Sequence, residues 1–114
     1  MTLTPTEIEQ LRIAIAEEMG FKNIRYDWVN GSDAVKDYMH SNGRGIPYYT
    51  EKLDAIQAAA MERFKTREDI IAFQRAVDQQ HGLSETTSRE WQLTALDWCI
   101  AFARTAKIWR YKQP

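Results

Sequence analysis

One cysteine, three prolines and five glycines are all that 114 residues contain of these types. A single thiol, Cys99, cannot close a disulfide within the chain, and its place in an apolar helical stretch points to a buried side chain. No internal repeat or low-complexity tract is present. No apolar run approaches the roughly 20 residues that cross a bilayer. Met1-Thr2-Leu3-Thr4-Pro5 lacks a basic region and an apolar signal core, so a cytoplasmic address is the expectation. Net charge is only −1, so the whole molecule exerts no strong field on nucleic acid.

Catalytic and metal signatures are missing too. His40 and His81 lie far apart, and neither has a partner at metal-ligand spacing. Asp27, Asp33 and Asp37 can converge near a hairpin but lack the pattern of a calcium loop, and a solvated rim is expected. No Gly-x-Ser-x-Gly elbow occurs, and nothing near Cys99 in sequence would lower its pKa. No cofactor and no metal are expected.

Hydrophobic content is 44%, with four Trp, five Tyr and four Phe. That supports a real core and a single domain over 1–114. The stretch from Thr87 to Tyr111 is the expected hub. Trp91, Ala95, Trp98, Phe102 and Trp109 share one helical face, and Leu93, Leu96, Ile100 and Ala103 widen the stripe. A helix so widely apolar needs cover on two sides. The second cover can come from this chain or from another copy, as in a twofold homodimer.

The fold expected is α+β and mostly helical. Four helices are placed at 5–19, 51–64, 67–81 and 88–110, with a short strand or β-hairpin near 23–39. Thr4 and Glu7 form a capping box with Pro5 at the first helical position, and Gly20 stops the helix. Ile8, Leu11 and Ile15 are its buried row, with Met19 beside it, and Glu17 and Glu18 are expected in solvent. Ile24 to Val29 alternates as a strand does, and Asn30-Gly31 is a turn dipeptide. Residues 33–39 read equally as a second strand or a short helix. Thr50 is the expected cap of the second helix, whose inner face is Leu53, Ile56, Ala60 and Phe64. Thr66 and Asp69 open the third, which buries Ile70, Phe73 and Val77 and stops at Gly82. Thr87 and Glu90 open the fourth.

Candidate binding residues fall in two groups. Ser41-Asn42-Gly43-Arg44-Gly45 is a loop whose glycines permit positive φ, read mainly as a mobile connector, with phosphate contact as the alternative. Tyr48 and Tyr49 follow it. With Trp109 and Tyr111 they are the aromatics expected to be partly exposed, and such rings anchor binding surfaces. The second group is Arg104, Lys107 and Arg110, in a stretch (99–114) that carries +4 while residues 1–98 carry −5. Basic residues at a helix C-terminus also complement its dipole.

Three segments resemble the phage ABA-sandwich domain family, small proteins encoded mainly by bacteriophages and prophages. They are Arg12-Ile13-Ala14-Ile15-Ala16-Glu17-Glu18-Met19-Gly20-Phe21, then Ile46-Pro47-Tyr48-Tyr49-Thr50-Glu51-Lys52-Leu53-Asp54-Ala55-Ile56, and the final helix with Ala95, Cys99, Ala101, Ala103-Arg104-Thr105 and Ile108-Trp109. The chain departs from the family at Lys52, where an acid is common, and at Gln57-Ala58, where a His-Glu pair is common. The resemblance implies an α+β fold and a phage setting, and it supplies no catalytic residue.

The leading expectation is a non-catalytic phage accessory protein that binds a host protein, through Tyr48 and Tyr49, or sequesters a small nucleotide, through Arg44, Arg104, Lys107 and Arg110. Such binding would antagonise host defence. Two other classes stay open. One is a nucleic-acid-binding module using the basic C-terminal helix, which the charge balance disfavours. The other is a small enzyme assembled from separated residues such as Asp54, His81 and Arg44.

Overall fold

The computed structural model describes residues 3–28, 36–41, 44–83 and 94–108; the side chains of Trp28 and of residues 81–83 are not among them. The elements run α1 (Pro5–Glu18), β1 (Arg25–Trp28), β2 (Lys36–Met39), α2 (Leu53–Arg63), α3 (Arg67–Leu83) and α4 (Ala95–Ala106). The fold is α+β and mostly helical. No helix among the described residues is long and apolar enough to cross a membrane.

α1 forms as its caps dictate. Thr4 accepts from the Glu7 amide while the Glu7 carboxylate accepts from the Thr4 amide. At the other end Gly20 has φ +98°, and the amides of Gly20 and Phe21 donate to Glu17 and Ala16. That closes a Schellman turn at a backbone angle suited to glycine. Leu11 and Ile15 are fully buried as expected. Glu18 is not simply solvated: it accepts from Arg63 Nε at 2.8 Å, which ties α1 to α2.

β1 and β2 pair antiparallel, with Tyr26 opposite Tyr38 and Asp27 opposite Asp37. This settles the two readings of 33–39 for residues 36–39, which are a strand. Local composition there leans toward helix; burial of Asp37 and Met39 against the core overrides it. Asn30-Gly31 lies outside the described residues. The loop reading of 41–45 needs correction at its end. His40 N–H donates to Arg44 C=O and Ile46 N–H donates to Tyr38 C=O, so 44–46 lies along the free side of β2 rather than swinging as a connector. Gly45 has no positive φ.

Helix boundaries differ at several ends. α2 begins at Leu53 after Lys52, with no side-chain cap, so Thr50 is not its N-cap. α3 passes through Gly82 to Leu83, one residue beyond the expected stop. Thr66 accepts from the Asp69 amide at 3.1 Å, as its motif requires. α4 is shorter than expected at both ends. Its capping box is Thr94 with Asp97, and it ends at Ala106 with Lys107 in the left-handed region. The Thr87–Glu90 box, Trp91 and Trp109 lie outside the described residues. Thr94 immediately precedes α4, and a box there satisfies the orphan amides of its first turn.

α4 is still the hub. α1, α2 and α3 each pack against it. Phe102 and Cys99 are fully buried at its centre, with Leu11, Ile15, Ile46, Ile56 and Phe64 around them. A line of rings runs outward from this core: Phe102 to Phe64 at 5.0 Å, Phe64 to Phe73 at 5.0 Å, Phe73 to Trp98 at 5.5 Å. These distances suit attractive aromatic pairs.

Candidate binding groove

The ring line ends in an open groove of about 840 Å³ between α2 and α3. Its geometry follows from the sequence of α3. Ile70, Phe73 and Val77 were expected inside, but α3 packs chiefly on α4 and buries only a narrow stripe, Ala76 and Gln80 with Phe73 and Val77 partly covered. Ile70 stays 42% exposed, a correction to its expected burial. Adjacent isoleucines at 70 and 71 stand about 100° apart on the helix, so one packing partner cannot cover both.

From α2, Met61 stands opposite at 78% exposure, with Ala60 and Phe64 below it. Trp98 closes the floor from α4. Lys65 and Asp78 are the charged groups at the margin. The lining carries no cysteine or histidine among the described residues, so its chemistry is that of apolar contact. Among the described residues no cluster of three His, Cys, Asp or Glu side chains can hold a metal ion.

None of the five described sequence candidates, Arg44, Tyr48, Tyr49, Arg104 and Lys107, lines this groove. Arg44 is exposed beside β2, and Arg104 and Lys107 lie at the far end of α4. Arg110 lies outside the described residues. Tyr49 is a correction: it is only 4% exposed, and its carbonyl accepts from the Cys99 thiol at 3.1 Å. Burial, helped by the charge of Glu62, pushes its phenol up to about 12. Tyr48 is 40% exposed, but its hydroxyl donates to Asp37. Asp54 is exposed on α2, and the side chain of His81 is not described.

Tyr48 belongs to a polar lock that the sequence reading missed. Arg12, on α1, is 8% exposed. Its Nη1 donates to Asp37 Oδ1 at 2.8 Å, its Nε to Pro47 C=O at 2.9 Å and its Nη2 to Ile46 C=O at 2.6 Å. The guanidinium lies 4.3 Å from the Tyr48 ring centre. Asp37, expected on a solvated rim, is therefore buried and paired, a further correction. Burial opposes its ionisation, but hydrogen bonds from Arg12, Tyr48 and the Tyr38 amide outweigh it and hold the carboxyl below its ordinary range. A buried pair of this kind, with its donors used, fixes geometry. It positions the 44–52 segment and leaves no group aimed at a ligand.

The groove had one signal in the sequence, Ile70 and Met61 together with an excess of aromatics. The lock had none, because Arg12 and Asp37 meet only in space. Compared with known proteins, the chain matches no family model, no curated protein and no solved structure.

Proposed function

We propose that this chain is a non-catalytic binding protein that holds an apolar segment of another protein, an amphipathic helix, in the groove between α2 and α3. The observation that carries this reading is the groove itself: Phe64, Phe73 and Trp98 form its floor, while Met61 and Ile70 stand exposed on opposite lips. An amphipathic helix presents apolar side chains at i, i+3, i+4 and i+7 and needs a trough of this lining. Isolated exposed apolar residues need no explanation, whereas a contiguous set around a concave floor does. The resemblance to small phage proteins supports a phage setting, with a host protein as the partner and antagonism of host defence as the outcome.

Proteins captured from host lysate by the wild type, by Met61→Glu/Ile70→Glu and by Arg104→Ala/Lys107→Ala test this. The reading expects one partner retained by the wild type and the basic-end variant and lost by the groove variant. A partner retained equally by all three, or a large thermal shift with a single nucleotide abolished by the basic-end changes, would overturn it in favour of nucleotide sequestration.

A further inference from the structure

The two edges of the β-hairpin are treated differently. On β2, His40 N–H donates to Arg44 C=O and Tyr38 C=O accepts from Ile46 N–H. Those residues therefore face away from β1, and Asp37 and Met39 make the ladder to Asp27 and Arg25. By alternation, Tyr26 turns its N–H and C=O to the opposite side of β1. Among the described residues the sheet has two strands, and nothing pairs with that side. The chain covers the edge of β2, and among the described residues the outer edge of β1 is unpaired.

Of the devices that blunt open edges, β1 has a short length and two charged side chains but no proline, no lysine and no bulge. Tyr26 is 57% exposed, among the most exposed large hydrophobics of the described residues.

We infer that this edge joins two copies of the chain, β1 against β1 antiparallel, with the twofold axis at Tyr26. The register is chosen by two independent features. Tyr26 is the residue whose backbone faces outward, so Tyr26 opposite its copy exchanges both N–H···O=C bonds. The same register sets Arg25 opposite Asp27 of the other copy, and Asp27 opposite Arg25, at the closely spaced positions where side chains approach most. A shift by one residue loses both the backbone match and the charge match. On the other face the rings of Tyr26 and Tyr38, 5.0 Å apart within one chain, continue across the axis as a row of four. The result is a four-stranded antiparallel sheet. This inference stands apart from the groove, which lies among the helices.

The test is sedimentation velocity from 1 to 200 μM on the wild type, Tyr26→Pro, Arg25→Asp and Asp27→Arg. A concentration-dependent dimer is expected for the wild type. Tyr26→Pro removes a donor that the β1–β2 ladder does not use, so it should give a folded monomer by circular dichroism. Each charge reversal turns two attractive pairs repulsive and should weaken dimerisation by about tenfold or more. Mixing Arg25→Asp with Asp27→Arg should restore a dimer as a heterodimer, an outcome that general misfolding cannot imitate. A wild-type chain monomeric throughout, or a dimer that the charge reversals and their mixture leave unchanged, overturns the inference.

Discussion

Arg12 and Asp37 lie 25 positions apart, and the Arg12 guanidinium meets the Asp37 carboxylate at 2.8 Å. The pair joins the first helix to the hairpin, and through the Ile46 and Pro47 carbonyls it also fixes the chain entering α2. Removing one partner leaves a buried charge uncompensated, which costs more than the pair gains. Arg12→Ala is expected to destabilise by roughly 3–5 kcal/mol. Arg12→Lys should recover only part of this, since an ammonium cannot reproduce the fork. Urea unfolding of both variants checks the order.

Acid should loosen the same joint. The Asp37 carboxyl is held below its ordinary value, so its charged form stabilises the fold. That contribution is fully present above the unfolded value of about 3.9 and is lost as pH falls through the lower folded value. Stability measured from pH 6 down to pH 2 should drop more steeply in the wild type than in Asp37→Asn. Parallel curves would show that the lock does not titrate.

Burial of Cys99 and Tyr49 sets an alkaline limit. Burial raises the Cys99 thiol, and burial raises the Tyr49 phenol to about 12. Raised values in the folded state mean stability that is full below the unfolded values, about 8.5 and 10, and is lost as pH rises through the folded ones. Stability should decline from about pH 9 upward. At neutral pH, Ellman's reagent should modify Cys99 only at the rate of unfolding. Rapid native labelling would contradict the burial.

Lys107 holds φ +58°, a conformation that side chains with a Cβ adopt at a cost. Its amide and that of Ile108 close the end of α4 onto Arg104 and Ala103. Lys107→Gly is expected to stabilise the fold by about 1 kcal/mol, read as a rise in melting temperature. Lys107→Val should lower it.

Thr94 and Asp97 cap α4 reciprocally, and Asp97 also accepts from Gln80 at 2.9 Å, which ties the start of α4 to α3. Thr94→Ala should cost about 1 kcal/mol. Asp97→Ala should cost more, since it also strips Gln80 of its buried acceptor. Equal effects in thermal unfolding would show that the link to α3 contributes nothing.

The helices were legible where local chemistry suffices. Thr4-x-x-Glu7, Gly20 and Thr66-x-x-Asp69 act over three or four residues and need nothing distant. The same capping rule misplaced the start of α4: Thr94 heads a box as acceptable as the one at Thr87, and the described helix begins after Thr94. Ile70 fits the α3 stripe by periodicity, yet among the described residues α3 packs chiefly on one neighbour, α4. Periodicity tells which residues share a face, not how much of that face is covered.

By itself the sequence determined a mostly helical α+β chain, its aromatic-rich closing helix as the hub, and the caps that punctuate two of the other helices. These follow from patterns repeated within a few residues, where backbone geometry leaves little choice. Only tertiary structure decided that residues 36–39 are a strand, that Tyr49 turns inward, that Arg12 and Asp37 meet, and that a groove opens beside Trp98. Each depends on which surfaces of distant segments come together, and the free energy of that choice is shared among partners that no short window contains.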